Sequence, residues 1–177
     1  CGSSAGPSSQ NTTQSKPSKA KSLIAAASYS STNFNPIGIG NALALSATWH
    51  VFEGLYDMDL HNYSTYKALA SDEPTKINNK TYEITLRKDA KFSDGNEVTA
   101  SDVVTSFAEN MKNDTYDSFL SFIDSVVAKD DKTVVFNLKY PFDTLFKNRI
   151  SAVKVIPASL SSDQLASMPI GTGPWKY

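Results

Sequence analysis

Few side chains able to do chemistry are present, and they are poorly grouped. His50 and His61 are the two histidines. His50 has Glu53 one helical turn on, a spacing that could begin a metal pair, but no third candidate stands at suitable spacing and no HExxH occurs. Both histidines are therefore expected to be partly exposed and non-catalytic. Asp57, Asp59 and Asp72 lack the alternating oxygen ligands and obligatory glycine of a calcium loop. Serine and aspartate are plentiful, yet there is no GxSxG and neither histidine sits in a triad context. The glycines of IGIG and GTG are followed by no lysine with serine or threonine, and no strand-to-helix GxGxxG exists to cradle a phosphate. These residues predict no enzyme, no metal site and no cofactor.

Recognition is the other chemistry to consider. SLIAAASYSSTNFNP reads as a short strand over Leu23 to Ala27, closed by a turn at Asn35-Pro36. A strand that leads to a polar turn suits a ligand-facing loop and equally suits a plain edge strand. Tyr56, Tyr63 and Tyr66 could line a pocket, but covering a sheet is the expected role.

The chain has 177 residues and a formal net charge of -1, enough for one core or for a small domain attached to part of another. Its 17 basic residues never form a dense stripe with interleaved aromatics, which argues against a nucleic-acid surface. No apolar run reaches the length needed to span a bilayer. Cys1 is the single cysteine, so an internal disulfide is excluded. It precedes about twenty residues of Ser, Thr, Gly, Pro, Asn and Lys that have no apolar anchor and should form a flexible tether. A Cys before a polar tether is how a processed secreted lipoprotein begins, so Cys1 is the expected lipidation site and a membrane surface the expected attachment.

The clearest structural signal lies in YEITLRKDAKFSDGNEVTASDVVTSF, Tyr82 to Phe107. Tyr82, Ile84 and Leu86 alternate with polar residues as in a half-buried strand, Asp94-Gly95 supplies a turn, and Thr99 caps a helix. Val103, Val104, Phe107, Ala108 and Met111 form the apolar face of that helix, leaving Asp102, Ser106, Glu109 and Asn110 wet. An earlier helix is expected from Ala42 to about Leu55, ended by Gly54. Asn78-Asn79 turns a partner strand into the strand at Tyr82, and a second hairpin turns at Asp130-Asp131 into Thr133 to Leu138. Tyr116 to Ile123 is an aromatic patch beneath the sheet, Phe142 to Ile150 is expected to be helical, and Val153 to Ile156 extended. PIGTGPWKY should make a fixed connection, with Trp175 and Tyr177 starting a buried strand. The predicted class is α+β, antiparallel strands with helices on one side.

HVFEGLY at 50–56, the segment at 82–107, DDKTVVFNL at 130–138 and PIGTGPWKY at 169–177 together resemble the amino-terminal part of extracellular solute-binding proteins of oligopeptide and dipeptide ABC importers, family 5 type. The resemblance covers Ser22 to Tyr177. It implies part of lobe I of a two-lobed periplasmic-binding-protein-like fold: a tether over 1–21, a first pass through the main domain of the lobe over 22–59, an inserted α+β subdomain over 60–168, and re-entry over 169–177. The second lobe is then absent, and this piece alone should bind solute weakly or not at all. The implied work is capture of peptide, or a similar small solute, outside the cell and delivery to permease subunits, by a monomer held at the outer face of the membrane through Cys1. Ligand contacts would fall at Asn33, Phe34, Asn35 and Pro36 and at Gly171, Thr172 and Gly173. A non-catalytic adhesive surface lipoprotein is the competing reading.

Overall fold

A computed structural model describes residues 33–39 and 42–176, with Ser22, Ile24 and Ala26. Cys1, Tyr177 and most of the strand expected over Leu23 to Ala27 lie outside the described residues. The elements in order are α1 (Ala42–Val51), β1 (Tyr56–Met58), β2 (Thr65–Lys67), β3 (Thr75–Asn78), β4 (Thr81–Thr85), α2 (Ala100–Lys112), β5 (Ile123–Asp130), β6 (Thr133–Leu138), α3 (Phe146–Ile150) and α4 (Ser162–Ser167). A small antiparallel hairpin joins β1 to β2, and a four-stranded antiparallel sheet runs in the order β3-β4-β6-β5.

The alternating pattern of β4 and β6 produces the sheet's covered face. Tyr82 and Ile84 pair with Phe136 and Val134, and all four are buried. Phe107 of α2 meets Phe136 edge-on at 4.9 Å between ring centroids, while Phe146 of α3 stacks on Tyr82 at 4.4 Å and meets Phe136 edge-on at 5.6 Å. Both helices therefore lie on one side of the sheet, the α+β arrangement expected. Beside this cluster the Tyr82 hydroxyl donates to Asp143, which also pairs with Lys76 at 2.7 Å. Burial and the adjoining carboxylate push the Tyr82 phenol up to about 12. Both sheet edges are irregular: β3 shifts register between Lys76 and Asn78, and β5 shifts near each end.

Four expectations need correction. First, α1 stops at Val51 instead of near Leu55. The backbone beyond it is drawn out by other partners, since the Val155 amide donates to the Glu53 carbonyl and the Gly54 amide to Asp57 Oδ1. Second, α3 begins at Phe146 rather than Phe142. Phe142 is occupied in stacking on Phe122 at 4.3 Å, and Asp143 is held by Tyr82 and Lys76. Third, no strand forms over 170–176, and Trp175 is exposed. Its amide instead donates to the His50 carbonyl, as that of Gly173 does to Val51, so this segment satisfies carbonyls that a helix end leaves without partners.

Fourth, Asp102, Ser106 and Asn110 are buried, although the helical period put them on the wet side of α2. They stand four residues apart, on one stripe. Asp102 Oδ2 accepts from the Thr99 amide at 2.9 Å, closing the helix start, and Oδ1 accepts from the Ala158 amide at 2.8 Å. Ser106 Oγ donates to the Asp102 carbonyl at 2.7 Å and accepts from the Ile156 amide at 2.9 Å. Asn110 Nδ2 donates to the Ser106 carbonyl at 2.8 Å. The stripe is thus a polar seat for the extended segment that follows α3. α4, which the apolar period did not reveal, begins at a capping box in which Ser161 and Gln164 bond reciprocally.

Replacing Asp102 with Ala strands the Thr99 and Ala158 amides. A loss of about 2 kcal/mol is expected, because buried donors without partners forfeit their hydration. Urea unfolding followed by circular dichroism measures it, and an unchanged midpoint would show that the seat carries no stability.

Candidate functional site

The two segments expected to touch ligand are held mainly through their backbones. Asn33 Oδ1 accepts from the Asn35 amide at 2.9 Å, and Asn35 Oδ1 accepts from the Ile37 amide at 3.1 Å, giving two successive side-chain-closed turns. Asn33 is exposed, Phe34 is half-buried, and Asn35 and Pro36 are buried. The Phe34 amide donates to the Ala166 carbonyl of α4, and Thr115 Oγ1 donates to the Gly38 carbonyl. Gly38 has φ +69°, a left-handed conformation that glycine adopts without steric cost.

Gly171, Thr172 and Gly173 pass over the end of α1. A Cβ at Gly171 would stand 2.0 Å from the Val51 carbonyl oxygen, and one at Gly173 2.5 Å from that of His50, so both positions demand glycine. Thr172 adjoins Glu53. Burial pushes the Glu53 carboxyl up, and nearby Asp57 adds to the rise. Ile37 and Gly171 both border a small core around Phe52, Ile156 and Leu165, so the two expected segments share a foundation.

None of the residues expected to touch ligand lines a cavity of about 290 Å³ that opens elsewhere among the described residues. Leu45 and Trp49 of α1 form one wall, and Leu60 and Tyr66 from the β1–β2 hairpin form another. Tyr116 and Phe119, from the aromatic patch after α2, face them, with Asn148 of α3 and Ser151 at its end completing the side. Asp57 and Lys154 also line it. Their side chains are only 12% and 11% exposed, and Lys154 Nζ donates to Asp57 Oδ1 at 2.5 Å. The same ammonium lies 5.9 Å above the Trp49 ring. Burial, then the carboxylates of Asp57, Glu53 and Asp59, push the Tyr66 phenol up.

Tyr66 thus lines a pocket, whereas Tyr56 is buried with its hydroxyl donating to the Asp72 carbonyl at 2.6 Å, and Tyr63 is exposed. Sequence reasoning missed the cavity because its walls come from stretches far apart in the chain. Among the described residues no group of three His, Cys, Asp or Glu side chains is placed to hold a metal ion.

Residues 64–177 match the model of bacterial extracellular solute-binding proteins, family 5 (middle region). The chain belongs to this family. The family 5 chain is 28% identical over 166 residues to the glutathione-binding protein GsiB of Pectobacterium atrosepticum, covering 89% of this chain and 32% of that protein. Among solved structures, Listeria monocytogenes OppA bound to peptide superposes with a TM-score of 0.73 at 22% identity, covering 82% of this chain and 34% of that one. NikZ from Campylobacter jejuni in complex with Ni(L-His) superposes with a TM-score of 0.69 at 26% identity, covering 81% and 30%. The fold is accordingly that of a lobe of a periplasmic binding protein. This family 5 chain spans about a third of the length of such relatives.

Lys154→Met leaves the Asp57 carboxylate buried without its cation, and a loss of roughly 3 kcal/mol is expected. Adding Asp57→Leu should recover part of it, since neither charge then remains. Chemical unfolding of both single variants and the double variant measures the coupling; additive losses would mean that the two groups act independently.

Proposed function

We propose that this chain supplies part of lobe I of a solute-binding protein that captures peptide or a similar small solute outside the cell and delivers it to the permease of an ABC importer. The observation that carries this reading is an open, aromatic-walled cavity on a chain of the extracellular solute-binding family. A few polar groups among apolar walls is the usual make-up of a small-molecule site. The chain makes no bond in this role and is not an enzyme. Capture works by a second lobe closing over the solute, which requires two states a few kcal/mol apart and a solute that favours the closed one. Family membership disfavours the adhesive reading.

In this proposal residues 1–21 are the tether, 22–59 the first pass through the main domain, 60–168 the inserted subdomain and 169–177 the re-entry. The contacts of Gly171 and Gly173 with the end of α1 support the last boundary. Asn33, Phe34, Asn35 and Pro36, with Gly171, Thr172 and Gly173, would border the solute where the lobes meet, their paired amides holding the two segments in place. Relatives named for glutathione, peptide and a nickel–histidine complex all carry amino-acid chemistry, which supports a solute of that kind. Cys1 would bear the lipid that holds the protein at the outer face of the membrane as a monomer, and the tether would keep it close to the permease.

Calorimetry of the full-length protein against di-, tri- and oligopeptides should give saturable binding to at least one class. A flat response across the panel, with no peptide copurifying by mass spectrometry, would sink the peptide reading. Separately, Cys1→Ala should release the protein from the membrane fraction into the medium; undiminished retention there would refute the lipid anchor.

A further inference from the structure

We infer that the cavity between α1, the β1–β2 hairpin and Tyr116–Phe119 selects an uncharged aromatic side chain of the solute, and that the Asp57–Lys154 pair enforces the selection. This rests on the solute-capture reading above and adds to it what kind of group the cavity takes.

Size comes first. A volume of about 290 Å³ is about twice the roughly 150 Å³ that accepts benzene in an engineered core, and falls at the small end of sites for whole drug-sized ligands. One ring-bearing side chain fits that space better than an entire peptide does. The walls then favour a ring over an aliphatic chain. Trp49, Tyr66, Tyr116 and Phe119 put four aromatic rings in the cavity's lining, and ring-to-ring contact adds to what burial alone contributes. Trp49 and Tyr66 are 38% and 53% exposed and can be reached from solvent.

Charge supplies the discrimination. Asp57 and Lys154 are mutually neutralised at 2.5 Å, and Asp57 Oδ1 also accepts from the Gly54 amide at 3.1 Å. A guest carboxylate approaching the ammonium meets the Asp57 carboxylate already bound to it, with the Glu53 carboxylate nearby. A guest cation approaching Asp57 meets Lys154 in the same way. Either ion would give up its water without gaining an unopposed partner. A neutral ring avoids that cost. A phenol oxygen on that ring can still accept from Lys154, whose ammonium has three donors of which Asp57 engages one.

The test uses the full-length protein with two sets of probes: the tripeptides Ala-Phe-Ala, Ala-Asp-Ala and Ala-Lys-Ala, and the capped amino acids N-acetyl-phenylalanine amide, N-acetyl-aspartate amide and N-acetyl-lysine amide. Calorimetry gives affinities, and the indole resonance of Trp49 reports entry into the cavity. The phenylalanine probes are expected to bind at least about tenfold more tightly than the charged ones, in keeping with what pocket complementarity yields, and to shift the Trp49 signal. Asp57→Asn, which unmasks Lys154, should move the preference toward the aspartate probes. Tyr66→Ala, at an exposed position where folding is not at risk, should reduce the aromatic preference to within about twofold by removing one wall. Tripeptide binding with no aromatic preference, or with a preference unmoved in both variants, overturns the inference and leaves solute capture standing. Capped phenylalanine that enters the cavity while no peptide binds overturns peptide capture and leaves the aromatic selectivity standing. No binding by either set overturns both.

Discussion

Much of the arrangement depends on one ion pair that must not come apart. Asp57 and Lys154 lie 97 residues apart in sequence, and their side chains are largely withdrawn from water. Each charge would be costly alone, so the pair favours keeping the stretch after α1 beside the stretch after α3. The bond from the Val155 amide to the Glu53 carbonyl runs alongside and fixes the register of that contact. Beside it α3 sits against the sheet through Phe146, and the β1–β2 hairpin and the stretch at Tyr116–Phe119 border the cavity.

Directional polar contacts recur wherever separate passes of the chain meet. The apolar core around Phe107, Phe136 and Phe146 supplies cohesion, but hydrophobic burial alone does not choose one alignment over another. Asp102 and Ser106 choose it for the segment at Ile156–Ala158, because each offers an oxygen at only one height along α2. Steric fit chooses it for Gly171 and Gly173, which approach the end of α1 more closely than any side chain would allow.

What the sequence disclosed and what it withheld divide along this line. Local periods and turn chemistry were legible: the alternation through Val134, Phe136 and Leu138, the Asp94-Gly95 turn, where Gly95 has φ +91°, and the start of α2 at Thr99. The burial of Asp102 and Ser106 was not, because their partners lie 56 and 50 residues further on and leave no mark in the period of the helix. Phe142 illustrates the opposite error. Its apolar spacing suits a helix, yet a stacking partner twenty residues back in the chain, Phe122, outweighs that propensity. The cavity was invisible for the same reason as the ion pair, since it belongs to no single stretch. Tyr66 is the partial exception: it was weighed as a pocket residue on type alone and does line the cavity.

The irregular edges of the four-stranded sheet bear on how the molecule survives in company. An edge strand displays unpaired amides and carbonyls and invites a neighbouring chain to add to it. Here β3 carries a register shift next to Lys76, and β5 carries shifts near both ends, the later one beside Lys129. A second strand can follow neither edge far before meeting a kink or a charge. Exposed Ile77 and Val127 sit on those same edges, so without the kinks each would offer a greasy landing point. Resistance to sheet-to-sheet aggregation is thus built into the backbone of the strands themselves, independently of whatever the rest of the protein covers.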